Sequence, residues 1–307
     1  MSTQLERYSD YKVASLAPSY QTHFKRYIRI AKEFYNTKDI RELRKLDIIK
    51  YQTYLQENFK LGNKTIRNIL EVFKAFLNYL KNDLELIIIV PKFPDIDVQI
   101  KPIRWFSQED QANFFELVPT EFKDIIGFLI LHGCRPSEAR ALRCKDVHLQ
   151  DIHNSTITIS ATFSGTVYRP KRKGKSSRPV VIPIHPESYA HIAYTVKNNL
   201  PDASIFTNPH TGHYFGVNSL QKMWARVRKK LKLDKSVRLY DATRHSYASN
   251  LGMSGTSLLK ISKLMGHSSP KMTEKYAHLD VSGMRVDIEK LTLNRHQSVI
   301  RSIGNGK

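Results

Sequence analysis

Apolar residues return at steps of three and four along much of the first third of the chain, the spacing that lays them on one face of an α-helix. Tyr20, Phe24, Tyr27, Ile28, Ala31, Phe34 and Tyr35 predict one amphipathic helix, and Ile48, Ile49, Tyr51, Tyr54 and Leu55 predict a second. Ile66, Ile69, Leu70, Phe73, Phe76, Leu77 and Leu80 form the most regular stripe, with Lys64, Arg67 and Lys74 on the opposite face. Residues 1–18 show no sustained period and read as a tail. Pro91, Pro94 and Pro102 then break regular structure, because proline fixes φ and removes a backbone donor. The pattern divides the chain into a tail (1–18), a helical domain (19–95), a linker (96–104), a second domain (105–290) and a C-terminal tail (291–307).

The second domain opens at Ser107, placed to cap a helix with Glu109 and Asp110 in its first turn, and helical spacing continues to Leu131. The period then becomes two. Thr156 to Ser160 and Pro179 to Ile184 alternate and are rich in β-branched residues, while Arg169, Lys171, Arg172, Lys173, Lys175 and Arg178 crowd the stretch between them. That pattern predicts a small sheet or hairpin with a cationic turn. From His185 to about Ile288 the spacing is again mainly helical. The expected fold is mainly α with a small antiparallel sheet.

Charge narrows the possible partners. Lys and Arg number 49 against 28 Asp and Glu, a net charge of +21 spread over the whole chain, and dispersed positive charge is rewarded by phosphate backbones through counterion release. The longest aliphatic run, Leu86 to Val90, is too short to span a bilayer, and the N-terminus lacks a signal pattern. A cytoplasmic protein bound to nucleic acid is therefore expected. Cys134 and Cys144 have no metal-ligand or disulfide spacing, so neither a disulfide framework nor a structural metal is expected.

Four scattered pieces carry candidate chemistry. In Gly133-Cys134-Arg135-Pro136-Ser137-Glu138 the glycine ends one helix, Pro136 begins the next, and Arg135 sits at the junction. The basic stretch between the strands could send a lysine into a cleft. Asp241-Ala242-Thr243-Arg244-His245 opens an amphipathic helix that runs to Met253. Finally, Gly266-His267-Ser268-Ser269-Pro270 is followed by Tyr276, nine positions after His267. Polar neighbours Thr273, Glu274, Lys275 and His278 argue that Tyr276 does more than fill a core.

Taken together and in this order, these residues resemble the tyrosine recombinase, or phage integrase, family. That family has an Arg in a Gly-x-Arg-x-x-Glu context, a hairpin Lys, a His-x-x-Arg box, a Gly-His box and a Tyr nine residues later. The resemblance covers nearly the whole chain, because the helical first domain looks like the family's DNA-clamping core-binding domain. It implies a site-specific recombinase or integrase that acts on double-stranded DNA at specific sites without metal or ATP. Arg135 and Arg244 would grip the scissile phosphate, whose geometry matches planar guanidinium forks. Tyr276 would attack phosphorus to form a 3′-phosphotyrosyl link, and His267 would hydrogen-bond the phosphate.

Within that resemblance, Lys171 matches the hairpin general acid by its place before the turn, with Lys173 as its competitor. Asp241 stands where the family usually has histidine, three residues before Arg244. A carboxylate there could accept the tyrosine proton or orient a neighbouring arginine. Lys64, Arg67, Lys74, Arg172, Lys175, Arg226 and Lys229 are the expected DNA-binding residues, the last two on a basic helix that also carries Trp224. After Tyr276 the apolar-spaced segment through Val281, Met284 and Leu291 would, by the resemblance, pack on a neighbouring protomer, which implies a homotetramer on two duplexes, or else close its own domain. The alternative is a decayed recombinase that only binds DNA.

Overall fold

In the computed structural model, which describes residues 1–99, 102–172, 178–267, 272–274 and 276, the N-terminal stripes fold as helices α1 (Ser2–Val13), α2 (Pro18–Phe34), α3 (Lys45–Phe59) and α4 (Asn63–Asn82). All seven residues of the α4 stripe are buried, while Lys64, Arg67 and Lys74 are exposed on its other face. Phe73 is the hub: Tyr35 stacks on it at 4.8 Å and Tyr51 meets it edge-on at 5.6 Å. Removing such a side chain, as in Phe73→Ala, would cost roughly 3–5 kcal/mol.

The first residues depart from the expected tail. Helix α1 docks through Leu5 and Tyr8, both buried, and Tyr8 packs on Phe24 and Phe76 at 5.9 and 5.5 Å. Lys32 of α2 pairs with Glu6. Two anchors on a twelve-residue helix are too few to show a period in the sequence.

The chain divides between Pro102 and Ile103 into two compact units. The second unit contains α5 (Gln108–Glu116), α6 (Thr120–His132), α7 (Pro136–Ala139), α8 (Pro186–Asn198), α9 (Val217–Lys230), α10 (Ser246–Met253) and α11 (Leu258–Met265). Ser107 caps α5 as its sequence predicts, accepting the Asp110 N–H at 3.0 Å. Ile125, Ile126, Phe128 and Leu129 of α6 are wholly buried at the centre of this unit's core. Trp224 of α9 lies edge-on to Phe114 of α5 at 5.6 Å and donates its indole N–H to the Val237 carbonyl at 2.9 Å. The indole therefore fastens α9 to the segment that leads into the site.

Strands β1 (Val147–His148), β2 (Thr156–Ile159) and β5 (Val180–Pro183) form an antiparallel sheet in the order β1-β2-β5, with Ile157 opposite Ile182. Between β2 and β5 lies an unforeseen hairpin, β3 (Thr162–Ser164) and β4 (Val167–Arg169). Its three-residue strands are too short for alternation to register. The basic stretch begins within β4, at Arg169, and its described residues continue to Arg172. Lys173 and Lys175, and the segment after Tyr276 expected to pack on another protomer, lie outside the described residues. Among the described residues no helix is long and apolar enough to cross a membrane. The chain is mainly α with a small antiparallel sheet.

Candidate active site

The site begins where α6 stops. Gly133 closes that helix at φ +58°, and a Cβ there would lie 2.1 Å from the Tyr247 ring, so the position excludes any side chain. The chain turns and restarts at Pro136, leaving Arg135 as the cap residue of α7. Glu138, one turn in, accepts the Arg135 backbone N–H at 2.9 Å and its guanidinium at 2.8 Å. The same carboxylate oxygen accepts Nε of Arg172 at 3.2 Å. Glu138 is wholly buried. Burial works against its charged form, but Arg135 and Arg172 outweigh it and hold the carboxyl below its usual pKa.

The C-terminus of α11 supplies the opposite wall. Gly266 ends this helix at φ +59°, and a Cβ there would lie 2.2 Å from the Arg172 guanidinium. Arg172 donates to the carbonyls of Gly266 and Met265 at 3.2 and 3.3 Å. Arg244 donates to the same Met265 carbonyl at 2.9 Å and to the Gly133 carbonyl at 2.7 Å. Helix C-termini carry partial negative charge and hold cations well. Nε of Arg244 is buried with no hydrogen-bond partner among the described residues. A buried donor of this kind is costly unless satisfied, and an entering anion would satisfy it.

Arg244 belongs to a π-helical turn, Asp241–His245, that precedes α10. All five of its residues are buried. π-turns inside helices often mark functional sites. The Asp241 carboxylate accepts from Arg238 at the backbone N–H, Nε and Nη2 (2.8, 3.1 and 2.6 Å). Its Oδ1 also lies 3.9 Å from Nε2 of His245. On the other side of that ring, Nδ1 stands 2.7 Å from the hydroxyl of Tyr276. Nδ1 of His267 stands 2.7 Å from the hydroxyl of Thr273.

Tyr276 is wholly buried, packed with Ala248, Ile261 and Met265. Its neighbours in sequence are polar, yet its side chain is enclosed. The difference lies in which way successive residues face: Met272 and Glu274 are exposed, whereas Thr273 and Tyr276 point inward. Burial raises the pKa of the phenol and Tyr240 adds to the effect, while Arg244 acts in the opposite direction.

The structure thus gathers Arg135, Arg244 and Tyr276 into one largely buried cluster through shared partners. His267 joins it at the end of α11. Arg172, expected to face DNA, is instead buried and holds Glu138 and the α11 terminus. Lys171 is exposed next to it, as are Arg226 and Lys229 on α9. His245 contacts the phenol although the sequence suggested no role for it alone. Its signal was its place beside Arg244 in a turn with no exposed face.

The model of the phage integrase family matches residues 108–282. A tyrosine recombinase of Agathobacter rectalis is 23% identical over 318 residues, covering 96% of this chain and 97% of its own. The structure of the Tn1549 transposon integrase in complex with a circular intermediate DNA superposes with a TM-score of 0.74 at 20% identity, covering 94% of this chain and 99% of that one. The XerH site-specific recombinase bound to difH gives 0.64 at 16% identity over 94% of this chain and 84% of its own. The lambda integrase dimer bound to a COC′ core site also gives 0.64, at 11% identity over 90% and 76%. These proteins share the fold.

Proposed function

The chain belongs to the phage integrase family, and we propose that it is a site-specific recombinase that cuts and rejoins duplex DNA through a 3′-phosphotyrosyl intermediate. The observation that carries this reading is the buried Arg244, whose Nε has no hydrogen-bond partner among the described residues, adjoining a tyrosine whose hydroxyl is already engaged by a histidine. The relatives that share the fold were captured on DNA. The full set Arg135, Arg244, His267 and Tyr276 supports an active enzyme over a decayed, purely DNA-binding descendant.

In this mechanism Arg135 and Arg244 take the non-bridging oxygens of the scissile phosphate. Their fixed charges stabilise the pentacoordinate transition state where water would otherwise have to reorganise. Met265 and Gly133 carbonyls hold the Arg244 fork in place beforehand. Tyr276 Oη attacks phosphorus, the 5′-oxygen leaves, and a lysine donates its proton. Lys171 is that general acid in our reading, with Lys173 as its competitor. His267 steadies a phosphate oxygen. The phosphotyrosyl bond retains the energy of the broken phosphodiester, so a 5′-hydroxyl from another strand can reverse the step without ATP. Exchange between two duplexes breaks four strands and needs one tyrosine for each, hence a homotetramer on its specific sites. Tyr276 is covered in the free chain, so entry of the phosphate must uncover it. Lys64, Arg67 and Lys74 on the first unit, and Arg226 and Lys229 on the second, serve phosphate contacts that position the duplex.

The test uses nicked duplexes bearing candidate sites from the protein's own genetic element, incubated in EDTA. The wild type should form a covalent protein–DNA band that resists denaturant. Tyr276→Phe should bind the same DNA and form none. An adduct from Tyr276→Phe would move the nucleophile elsewhere, and tight binding to a genuine site without any wild-type adduct would overturn the catalytic reading.

A further inference from the structure

The position three residues before Arg244, where the family has histidine, holds Asp241, and a carboxylate already forked by Arg238 is a poor partner for the tyrosine hydroxyl. The contact to that hydroxyl comes from one turn further on. Nδ1 of His245 lies 2.7 Å from Tyr276 Oη, and on the far side of the ring Nε2 lies 3.9 Å from Asp241 Oδ1. Three groups therefore stand in line: carboxylate, imidazole, phenol. The π-helical turn makes this possible by carrying Asp241, Arg244 and His245 all into the interior. Tyr240 closes the arrangement, its ring edge-on to His245 at 4.8 Å.

The tautomer follows from the charges. A lone pair on Nε2 would face the Asp241 carboxylate, which is repulsive, whereas an Nε2–H is attracted to it. The neighbour of one ring nitrogen thereby decides the state of the other. Nδ1 is left with its lone pair directed at the phenol, so Tyr276 donates and His245 accepts. Positive charge from Arg244 favours the phenolate form of Tyr276.

Resting on the recombinase reading above, we infer that His245 is the general base for Tyr276, and that Asp241 is a positioning residue that orients His245 and stabilises its protonated form. The step balances simply. The Tyr276 Oη–H bond breaks and its proton passes to Nδ1 of His245, while the Oη electron pair forms the bond to phosphorus. The P–O5′ bond breaks, and the 5′-oxygen takes a proton from the hairpin lysine. Rejoining runs the same transfers backwards, with the imidazolium returning its proton to the phenol. The proton acceptor thus stands at His245, four residues after Asp241, with the carboxylate behind it.

Single-turnover adduct formation on the nicked substrate tests this. His245→Ala should lower the adduct rate about 10² to 10⁴-fold with unchanged DNA affinity, and added imidazole should restore part of it. His245→Asn, which keeps a polar side chain of similar reach, should be equally slow and covers the case in which the alanine variant fails to fold. A substrate whose bridging 5′-oxygen is replaced by sulfur needs no acid, so it should leave the His245 defect intact. Asp241→Asn removes the negative charge that lies 3.9 Å from Nε2 of His245. This variant should slow adduct formation without weakening DNA binding, and Asp241→Glu, which keeps the carboxylate, should recover part of the rate. A wild-type rate in both His245 variants would overturn the inference alone, as would a defect erased by the sulfur substrate. A wild type that forms no adduct on its own sites would overturn this inference and the recombinase reading together.

Discussion

Replacing Glu138 with glutamine would test how the arginine cluster is held. Its carboxylate pairs with two guanidiniums, Arg135 and Arg172, and the exposures involved are 0% for Glu138, 16% for Arg135 and 5% for Arg172. These are buried pairs, so the 0–1 kcal/mol typical of surface ion pairs does not apply. Removing one partner of a buried pair costs about 3–5 kcal/mol, because the remaining charge is left desolvated. For a domain of roughly 200 residues, where each kcal/mol moves Tm by about 2–4 °C, the Glu138→Gln variant should melt about 6–20 °C below wild type at neutral pH. Two further readouts separate charge from packing. Inorganic phosphate should raise the Tm of the variant more than that of wild type, since an anion replaces the missing charge by mass action. The pH dependence has a defined sign: Arg135 and Arg172, overcoming burial, depress the Glu138 pKa in the folded state. The wild-type advantage is therefore complete above the unfolded glutamate pKa and fades as pH falls through the lower folded value. Thermal melts followed by circular dichroism suffice. A variant melting within about 2 °C of wild type, with the same response to phosphate, would refute the account of Glu138 as the charge that assembles the site.

Other expectations are simpler to state. Gly133→Ala would force a side chain into a left-handed turn and into the Tyr247 ring; the strain alone is worth about 1–2 kcal/mol, and denaturant melts should show a loss larger than that. Replacing Lys64, Arg67 and Lys74 together with Gln should reduce the salt dependence of DNA binding by about 0.9 for each phosphate no longer neutralised, measured as the slope of log affinity against log salt; an unchanged slope would remove that face of α4 from the interface. Of Lys171→Ala and Lys173→Ala, the variant whose cleavage defect disappears on a 5′-sulfur substrate identifies the general acid. A defect that persists for both would place the acid elsewhere.

Much of this molecule was legible in its sequence because particular residues obey local rules. The α4 stripe is regular and wholly buried, and the Gly133-to-Glu138 stretch announces a helix stop, a restart and a capped arginine. The departures share a different cause: their roles are set by contacts between distant residues. Arg172 reads as one more charge in a basic run, and only its approach to Glu138, Met265 and Gly266 draws it inside. His245 reads as an ordinary helical residue until Tyr276, 31 positions later, arrives at its ring. Asp241 looks like an altered residue in isolation and becomes intelligible only beside His245. Helix α1 and the β3–β4 hairpin escape a reading by period because they have too few residues to display one.

The five-residue turn at Asp241–His245 has a consequence for how this protein tolerates change. In an α-helix neighbouring side chains diverge by about 100°, so substitutions normally show a rhythm of sensitive and permissive positions. Here five consecutive residues face protein and that rhythm should vanish. Insertions and deletions should be more revealing than substitutions: excising Ala242 would let the turn relax to ordinary helical winding while rotating Arg244 and His245 relative to everything before them. A chain altered in this way could retain its helices and its fold yet lose the alignment on which both residues depend. The wide turn acts as a register mark, counting out the one residue by which α10 is offset from the chain that leads into it.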